Sequence, residues 1–508
     1  MDKWTVRAIA RTVPLAVDNA SRCPPRGPLP TCPQPTTTTI NTTLRIKLNC
    51  LLLEDTRPHS GRRCVGALAH YHGVDLPQRR QMPINKLTVA NFKGVAASTT
   101  FDIRPITIFL GANSSGKSSC IHALVSLSQT LKLGNSAPAL VLDDDFAQVH
   151  LGRFVEIAHS HTYTDPITLG VEIGKRTFEL GSRKSAALSQ VSGLVQAEYN
   201  FRSTLRTQEV YVDSARLAVG EKAFQIKRGT KAPYKFSTID EGGKRRFETE
   251  RAGNFLFRLQ PTQQNLTADD GREWFDNYWL IEVIQKELER ELRETRYLGP
   301  FRQSPLRRYP FRGATANEVG AQGEATITLL ASEHVQSQDR VHAKQINRWL
   351  GTLGLAKSVE LSRVGTSDLF DVSLKLADGN KLPIADLGYG LSQVLPVLTQ
   401  CSFAPKGSTL LFEQPELHLH ENAAKKLAYV FHETASERQS RVVIETHSKE
   451  LVYEVLALVK SGKLKTDDLA IYKVERVGGA SSYKRLAVEW DGKYLEVDDP
   501  WVKALTGQ

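Results

Sequence analysis

Three short runs of unbroken apolar residues set the frame of the chain: residues 106–110 (ITIFL), 409–412 (TLLF) and 442–444 (VVI). Each is too short for a helix and rich in β-branched or aromatic residues, which predicts buried strands of a parallel sheet. Residues 119–127 follow the first run with apolar positions on one face, which predicts a helix. From 82 to about 179 the pattern reads strand, turn, strand, glycine-rich loop, helix and a loop through Asp143-Asp144-Asp145. Residues 167–260 change to strict alternation, as in 167–173 and 209–212, and predict an antiparallel sheet lying on that core. Between 270 and 296, Trp274, Tyr278, Ile281, Ile284, Leu288 and Leu292 recur three and four apart, while Glu287, Glu289, Arg290, Glu291, Arg293 and Glu294 supply a polar face. That stretch is the longest predicted amphipathic helix. The whole is an α/β pattern with an added antiparallel β subdomain and a helical insert.

The loop after the first apolar run is Gly111-Ala112-Asn113-Ser114-Ser115-Gly116-Lys117-Ser118, followed by Ser119. It fits G-x-x-x-x-G-K-[ST] between a strand and a helix, the context in which backbone N–H groups and a helix N-terminus cradle a polyphosphate. In that pattern Lys117 reaches the β- and γ-phosphates, and the Ser118 hydroxyl sits on Mg²⁺. The expected cofactors are ATP and Mg²⁺.

Composition changes this picture in one place. The chain of 508 residues has a net charge of +11, of which +7 lies in residues 1–81. This segment is rich in proline and threonine and holds Cys23, Cys32, Cys50 and Cys64 of the six cysteines. It reads as a disordered leader, with the native start expected at Met82, the only methionine besides Met1. An Arg-rich targeting peptide around Arg7 and Arg11 is the rival, opposed by Asp2 and the lack of a clear amphipathic helix. The remainder, 82–508, reads as one head with a phosphate-loop lobe (82–260), a helical, arginine-rich insert (261–360) and a C-terminal lobe (361–508). No run approaches the roughly 18 apolar residues of a membrane span, and cysteine spacing shows neither metal nor disulfide patterning, which fits a cytoplasmic protein without a membrane partner.

A phosphate loop hydrolyses nothing alone, so partners must come later. Glu413, at the end of the second apolar run, is placed to hold Mg²⁺ beside Ser118. His447, thirty-one residues beyond Glu416, ends the third and could bond the γ-phosphate or the attacking water. Gln148 lies where a metal- and water-contacting glutamine could sit, or is a surface residue. Arg296, Arg302, Arg307, Arg308 and Arg312, interleaved with Tyr297, Phe301, Tyr309 and Phe311, read either as a nucleic-acid contact or as a solvated linker.

These motifs together resemble the soluble ABC-class ATPases of the RecF-, SMC- and OLD-like groups, including bacterial anti-phage defence ATPases. Asn91-Phe92-Lys93 is similar to their first-strand motif, and residues 386–393 (DLGYGLSQ) to their signature segment. Residues 410–420 (LLFEQPELHLH) resemble Walker B and the D-loop, and Glu445-Thr446-His447-Ser448 the switch-histidine segment. The resemblance implies a P-loop NTPase of ABC-ATPase head type and a head-to-tail homodimer with two sandwiched ATPs. Gly390 and Ser392 would then contact the γ-phosphate held by the other subunit; Ser392 is expected to open a helix over 393–398, with Pro396 tolerated in its first turn. The familiar Walker B ends in Asp-Glu, where this chain has Glu413-Gln414. A glutamine orients water but takes no proton, so Glu416 or His447 would do that work, or hydrolysis is slow. No TOPRIM nuclease pattern follows His447; Asp467-Asp468 and Asp498-Asp499 read as loop charges. The function expected is ATP binding and hydrolysis controlling a separate nuclease or effector, or gripping DNA or RNA, in defence or DNA maintenance. A nucleotide-gated scaffold with little turnover is the alternative, and an AAA+ motor is disfavoured by the residues 390–393.

Overall fold

The computed structural model describes residues 84–134, 138–180, 189–230, 236–240, 245–251, 253–260, 268–311, 313, 316–492 and 495–497. The leader, Met82, Arg312, Asp498 and Asp499, and the side chain of Trp274, lie outside the described residues. Every described residue belongs to one compact unit within residues 73–508.

The chain opens with β1 (Ile84–Ala90) and β2 (Thr99–Asp102), then β3 (Ile106–Gly111), the phosphate loop and α1 (Lys117–Lys132). A short helix α2 (Phe154–Ile157) leads to seven strands: β4 (Ile167–Leu180), β5 (Ser189–Ser203), β6 (Val210–Val219), β7 (Lys222–Arg228), β8 (Phe236–Asp240), β9 (Arg245–Arg251) and β10 (Phe257–Gln260). These seven are joined by β1 and β2 in one antiparallel, nine-stranded sheet, ordered β10-β9-β8-β7-β6-β5-β4-β1-β2. The alternating pattern of 167–260 is therefore a real sheet, one face packed and one face wet.

Next come α3 (Ala268–Arg293), β11 (Thr295–Leu298), β12 (Arg308–Pro310), α4 (Thr326–Gln336) and α5 (Val341–Leu353). A small sheet forms from β12, β13 (Ser358–Arg363), β14 (Leu369–Lys375) and β15 (Lys381–Pro383). The last part runs α6 (Tyr389–Phe403), β16 (Thr409–Glu413), α7 (Glu421–Arg438), β17 (Arg441–Thr446), α8 (Lys449–Lys460), β18 (Leu469–Val477) and β19 (Ala480–Leu486).

The three apolar runs become β3, β16 and β17 of a six-stranded sheet, ordered β11-β16-β17-β3-β18-β19. All its pairings are parallel except β18 with β19. These strands are buried on both faces, which is why they read as continuous apolar runs. Period-two alternation still sorts their side chains. Ile106, Ile108, Phe412 and Ile444 enter one core with α4 to α8. Phe109, Leu411 and Val443 enter the other, with α1, α3 and the antiparallel sheet. Each such fully buried side chain contributes about 1.5–3 kcal/mol. Because neighbouring strands run parallel, the carboxyl ends of β3, β16 and β17 share one edge, where ligands of open α/β sheets bind.

Two sequence readings change here. Glu287 and Glu291, assigned to the polar face of the long helix, are buried, because Arg176 from β4 reaches under the sheet to them at 2.7 and 3.1 Å. And α6 begins at Tyr389, not at 393. Ser392 is the fourth residue of the helix, and Pro396 lies inside it, withholding the N–H that the Ser392 carbonyl would receive. The neighbouring carbonyl, of Gln393, takes a hydrogen bond from Arg302 at 3.2 Å.

Candidate functional site

The phosphate loop leaves β3 at Gly111 and enters α1 at Lys117. Gly116 has φ 102°, and a Cβ there would stand 2.0 Å from Ser481 Oγ, so both conformation and space require glycine. The hairpin of β18 and β19 fastens this loop from one side. Ser481 donates from Oγ to the Ser115 carbonyl at 2.6 Å, and Tyr483 donates to the Gly116 carbonyl at 2.7 Å. With two carbonyls so held, the loop is fixed before any ligand arrives.

Lys117 is 3% exposed; its Nζ donates to the Ala112 carbonyl at 2.8 Å and lies 3.8 Å from a Glu445 carboxylate oxygen. Burial lowers its pKa, against the pull of Glu445. Glu413 and Glu445 stand directly opposite each other on β16 and β17, one residue from the strand ends or at them. Burial pushes the Glu445 carboxyl up to about 7, with the nearby Glu413 adding to the rise and a Ser118 hydrogen bond and Lys117 opposing it. Its Oε2 is buried with no hydrogen-bond partner among the described residues. Glu413 accepts from the Tyr297 hydroxyl at 2.9 Å and meets His122 Nε2 at 2.8 Å, both on Oε1. Two buried carboxylates beside a lysine that balances one of them form a site short of positive charge.

Glu416 turns back from the loop after β16. Its Oε1 accepts from the Thr446 hydroxyl at 2.6 Å and the His447 N–H at 3.1 Å, so it ties two strand ends together. The His447 side chain keeps Nε2 buried without a partner among the described residues, and burial, then Lys117, lowers its pKa. Gln414 takes a left-handed φ of 45° and donates its N–H to the Glu445 carbonyl at 2.8 Å. Gln148 accompanies Gln129, whose side chain accepts its N–H at 3.0 Å; its own Oε1 is buried without a partner among the described residues. A cleft of about 420 Å³ opens from the phosphate loop past Ser118, Ser119 and Glu445 toward Lys93, His159, His161 and Arg476.

Lys117, Ser118, Glu413, Glu416 and His447 thus converge, with Gln414 bonded to Glu445. Gly390 and Ser392 do not enter that cluster. Ser392 is buried in its own lobe and donates to the Tyr389 carbonyl at 2.9 Å. Gly390 lies against the His418 carbonyl.

The arginine cluster divides. Arg302, 7% exposed, donates to the Glu413 and Gln414 carbonyls at 3.1 Å each, and burial lowers its pKa to about 10. Arg296 is held by Glu294 and Glu318. Neither is available to a nucleic acid; among the described members of the cluster Arg307 and Arg308 are exposed, facing Asp386 and Asp371. The cluster as a single surface is therefore corrected: its inner members brace the end of β16.

Glu445, His122, Tyr297, Lys93, Ser481 and Tyr483 escaped the sequence reading as site residues. Glu445 carried a usable signal, an acid closing a buried strand in the same manner as Glu413. Lys93 stood in the first-strand motif and Tyr297 in the arginine cluster, neither with this role, and His122, Ser481 and Tyr483 carried no signal, since only the fold brings them near.

Residues 82–244 match the family described as "AAA ATPase domain", and residues 355–452 match "AAA domain, putative AbiEii toxin, Type IV TA system". A comparison with curated proteins finds no match. Among solved structures, the chain is similar to the SMC head domain from Thermotoga maritima at 11% identity and TM-score 0.33, covering 80% of this chain and 100% of that one. An Smc head bound to the C-winged helix domain of ScpA gives 13% and 0.40, covering 80% and 98%. An Smc head domain with an extended coiled coil, bound to the C-terminal domain of ScpA derived from Pyrococcus furiosus, gives 11% and 0.38, covering 80% and 96%.

Proposed function

We propose that the chain is an ABC-class ATPase of the AAA type that hydrolyses Mg²⁺–ATP in a head-to-tail dimer, a reading supported by the AAA ATPase descriptions that residues 82–244 and 355–452 match. The observation that carries the proposal is the meeting of Lys117 and Ser118 with Glu413 and Glu445, two buried carboxylates on adjacent strand ends.

The residues fit a hard divalent cation. The donors are oxygens, the Ser118 hydroxyl and the carboxylate of Glu413, and beside them Glu445 keeps an oxygen buried without a partner among the described residues. Bound there, Mg²⁺ would neutralise charge growing on the β- and γ-phosphate oxygens. Lys117 exchanges its Ala112 carbonyl for the phosphates, and the free N–H groups of the loop and of the first turn of α1 hold the rest. Glu445 receives the proton of the attacking water: a carboxylate with its pKa near working pH is a competent base, whereas Gln414 can only orient that water. His447 offers Nε2 to the γ-phosphate, and Glu416 holds His447 in place through its N–H. Gln148 is assigned to the metal side of the phosphates on its place downstream of the phosphate loop.

In the dimer, Gly390 and Ser392 complete the partner's site. Ser392 reaches it when the first turn of α6 loosens, which the missing N–H of Pro396 favours. The cycle controls a separate nuclease or another effector, or grips DNA or RNA, in defence or DNA maintenance in the cytoplasm. Among the described residues no helix is long and apolar enough to cross a membrane. Gln414 favours a second reading, a nucleotide-gated scaffold with little turnover.

Steady-state phosphate release tests the proposal. Wild type releases phosphate, Lys117→Ala and Ser392→Arg do not, and mixing the two variants restores activity, because one composite site then has both residues intact. Release by Lys117→Ala at the wild-type rate contradicts the phosphate-loop assignment. Full activity of Ser392→Arg alone contradicts the trans role, and binding without release by wild type selects the scaffold.

A further inference from the structure

We infer that His122 is a positioning residue that, with Tyr297, sets which oxygen of Glu413 is presented to the cation; the inference rests on the reading of Glu413 as a metal-side carboxylate. Glu413 ends β16 almost fully buried, and two side chains meet its Oε1: the Tyr297 hydroxyl donates to it at 2.9 Å and His122 Nε2 lies 2.8 Å away. The other ring nitrogen of His122 lies 2.7 Å from Lys93 Nζ. An ammonium only donates, so Nδ1 accepts and the imidazole carries its hydrogen on Nε2, the nitrogen beside Glu413. Lys93 thereby selects the tautomer that His122 needs.

These groups come from three distant parts of the chain. Lys93 stands in the turn between β1 and β2 with a left-handed φ of 49°, His122 on α1, and Tyr297 on β11, beside β16. Tyr297 and His122 meet on one oxygen, which leaves Oε2 as the carboxylate atom without a protein donor among the described residues. A carboxylate bonded by the Tyr297 hydroxyl and touched by His122 on the same oxygen cannot rotate freely, so its second oxygen keeps one direction. Histidine–carboxylate support of this kind typically alters metal affinity by about 10–100-fold. A buried acid merely needing solvation would be served by donors on either oxygen. The same helix carries Lys117 and Ser118 one turn earlier, so α1 positions both the phosphate-binding and the cation-binding halves.

The test compares equilibrium affinity for a fluorescent, non-hydrolysable ATP analogue in Mg²⁺ and in EDTA, which separates cation binding from nucleotide binding and from turnover. Wild type should bind more tightly in Mg²⁺. His122→Phe should lose about tenfold of that gain while keeping wild-type affinity in EDTA, and His122→Gln, which retains an N–H donor, should recover most of it. Tyr297→Phe is close to isosteric and should lose a smaller part of the same ratio, which serves if His122→Phe does not fold. An unchanged ratio in His122→Phe and Tyr297→Phe overturns the inference, as does an equal loss in Mg²⁺ and EDTA. No Mg²⁺ gain in wild type overturns the reading of Glu413 itself.

Discussion

Two buried carboxyls in this protein are pushed to the same place by burial, and they do different things. Glu291, on α3, and Glu445, at the end of β17, both rise to about 7. Glu291 is answered: Arg176 lies 3.1 Å away, Arg290 3.2 Å, and Glu287 shares the same two guanidiniums. Glu445 is answered only in part: it faces another carboxylate, has the Ser118 hydroxyl and one lysine at 3.8 Å, and keeps an oxygen buried without a partner among the described residues. A raised pKa alone therefore does not mark a site; a raised pKa with an unsatisfied atom at a strand edge does. The first cluster braces the antiparallel sheet against α3. The second waits for charge that the protein itself does not supply.

The comparison can be broken at either end, and the largest effect is expected at the structural cluster. Arg176→Met leaves Glu287 and Glu291 to share Arg290 alone under the sheet and should cost about 3 kcal/mol in denaturant unfolding, with turnover per folded molecule unchanged. Loss of turnover in a variant still folded would place that cluster in the mechanism.

Glu445→Gln should move stability the other way. The folded pKa of Glu445 lies above its unfolded value, so below the unfolded value there is no penalty; the cost of ionising it in the fold grows as pH rises and is complete above about 7. The nucleotide-free Gln variant should therefore gain on the order of 2–3 kcal/mol over wild type at pH 8 and show no gain at pH 4. An equal gain at both pH values would remove the charge argument.

The smallest effect belongs to the exposed arginines. Arg307→Gln with Arg308→Gln removes two surface ion pairs and should change stability by no more than about 0.5 kcal/mol. With Arg302 interior, the same double variant should leave duplex-DNA affinity and its salt slope as in wild type. A slope lower by about 0.9 for each contact would restore these residues as a phosphate-binding surface.

Much of this arrangement was legible before the fold. Continuous apolar runs read as parallel strands because both faces of β3, β16 and β17 are covered, and strict alternation read as β4 to β10 because one face is wet. Glycine spacing marked the phosphate loop because Gly116 must take a left-handed conformation. What stayed hidden came from tertiary contact. Arg302 looked like surface charge, yet three carbonyls at a strand end and a helix interruption draw it inside. The apparent polar face of α3 was polar for Arg176, ninety residues or more away in sequence. Helix α6 starts before Ser392 because Gly388 ends the extended segment and the turn at 389–392 closes on itself through the Ser392 hydroxyl.

The measurement that most directly tests the account is phosphate release by Glu445→Gln and Glu291→Gln, side by side, with nucleotide affinity determined for both. Glu445→Gln should bind ATP within a few-fold of wild type and release phosphate at least about 100-fold more slowly, whereas Glu291→Gln should release it at the wild-type rate. Wild-type release by Glu445→Gln, or equal losses in the two variants, would contradict the claim that the carboxylate answered only in part is the working one.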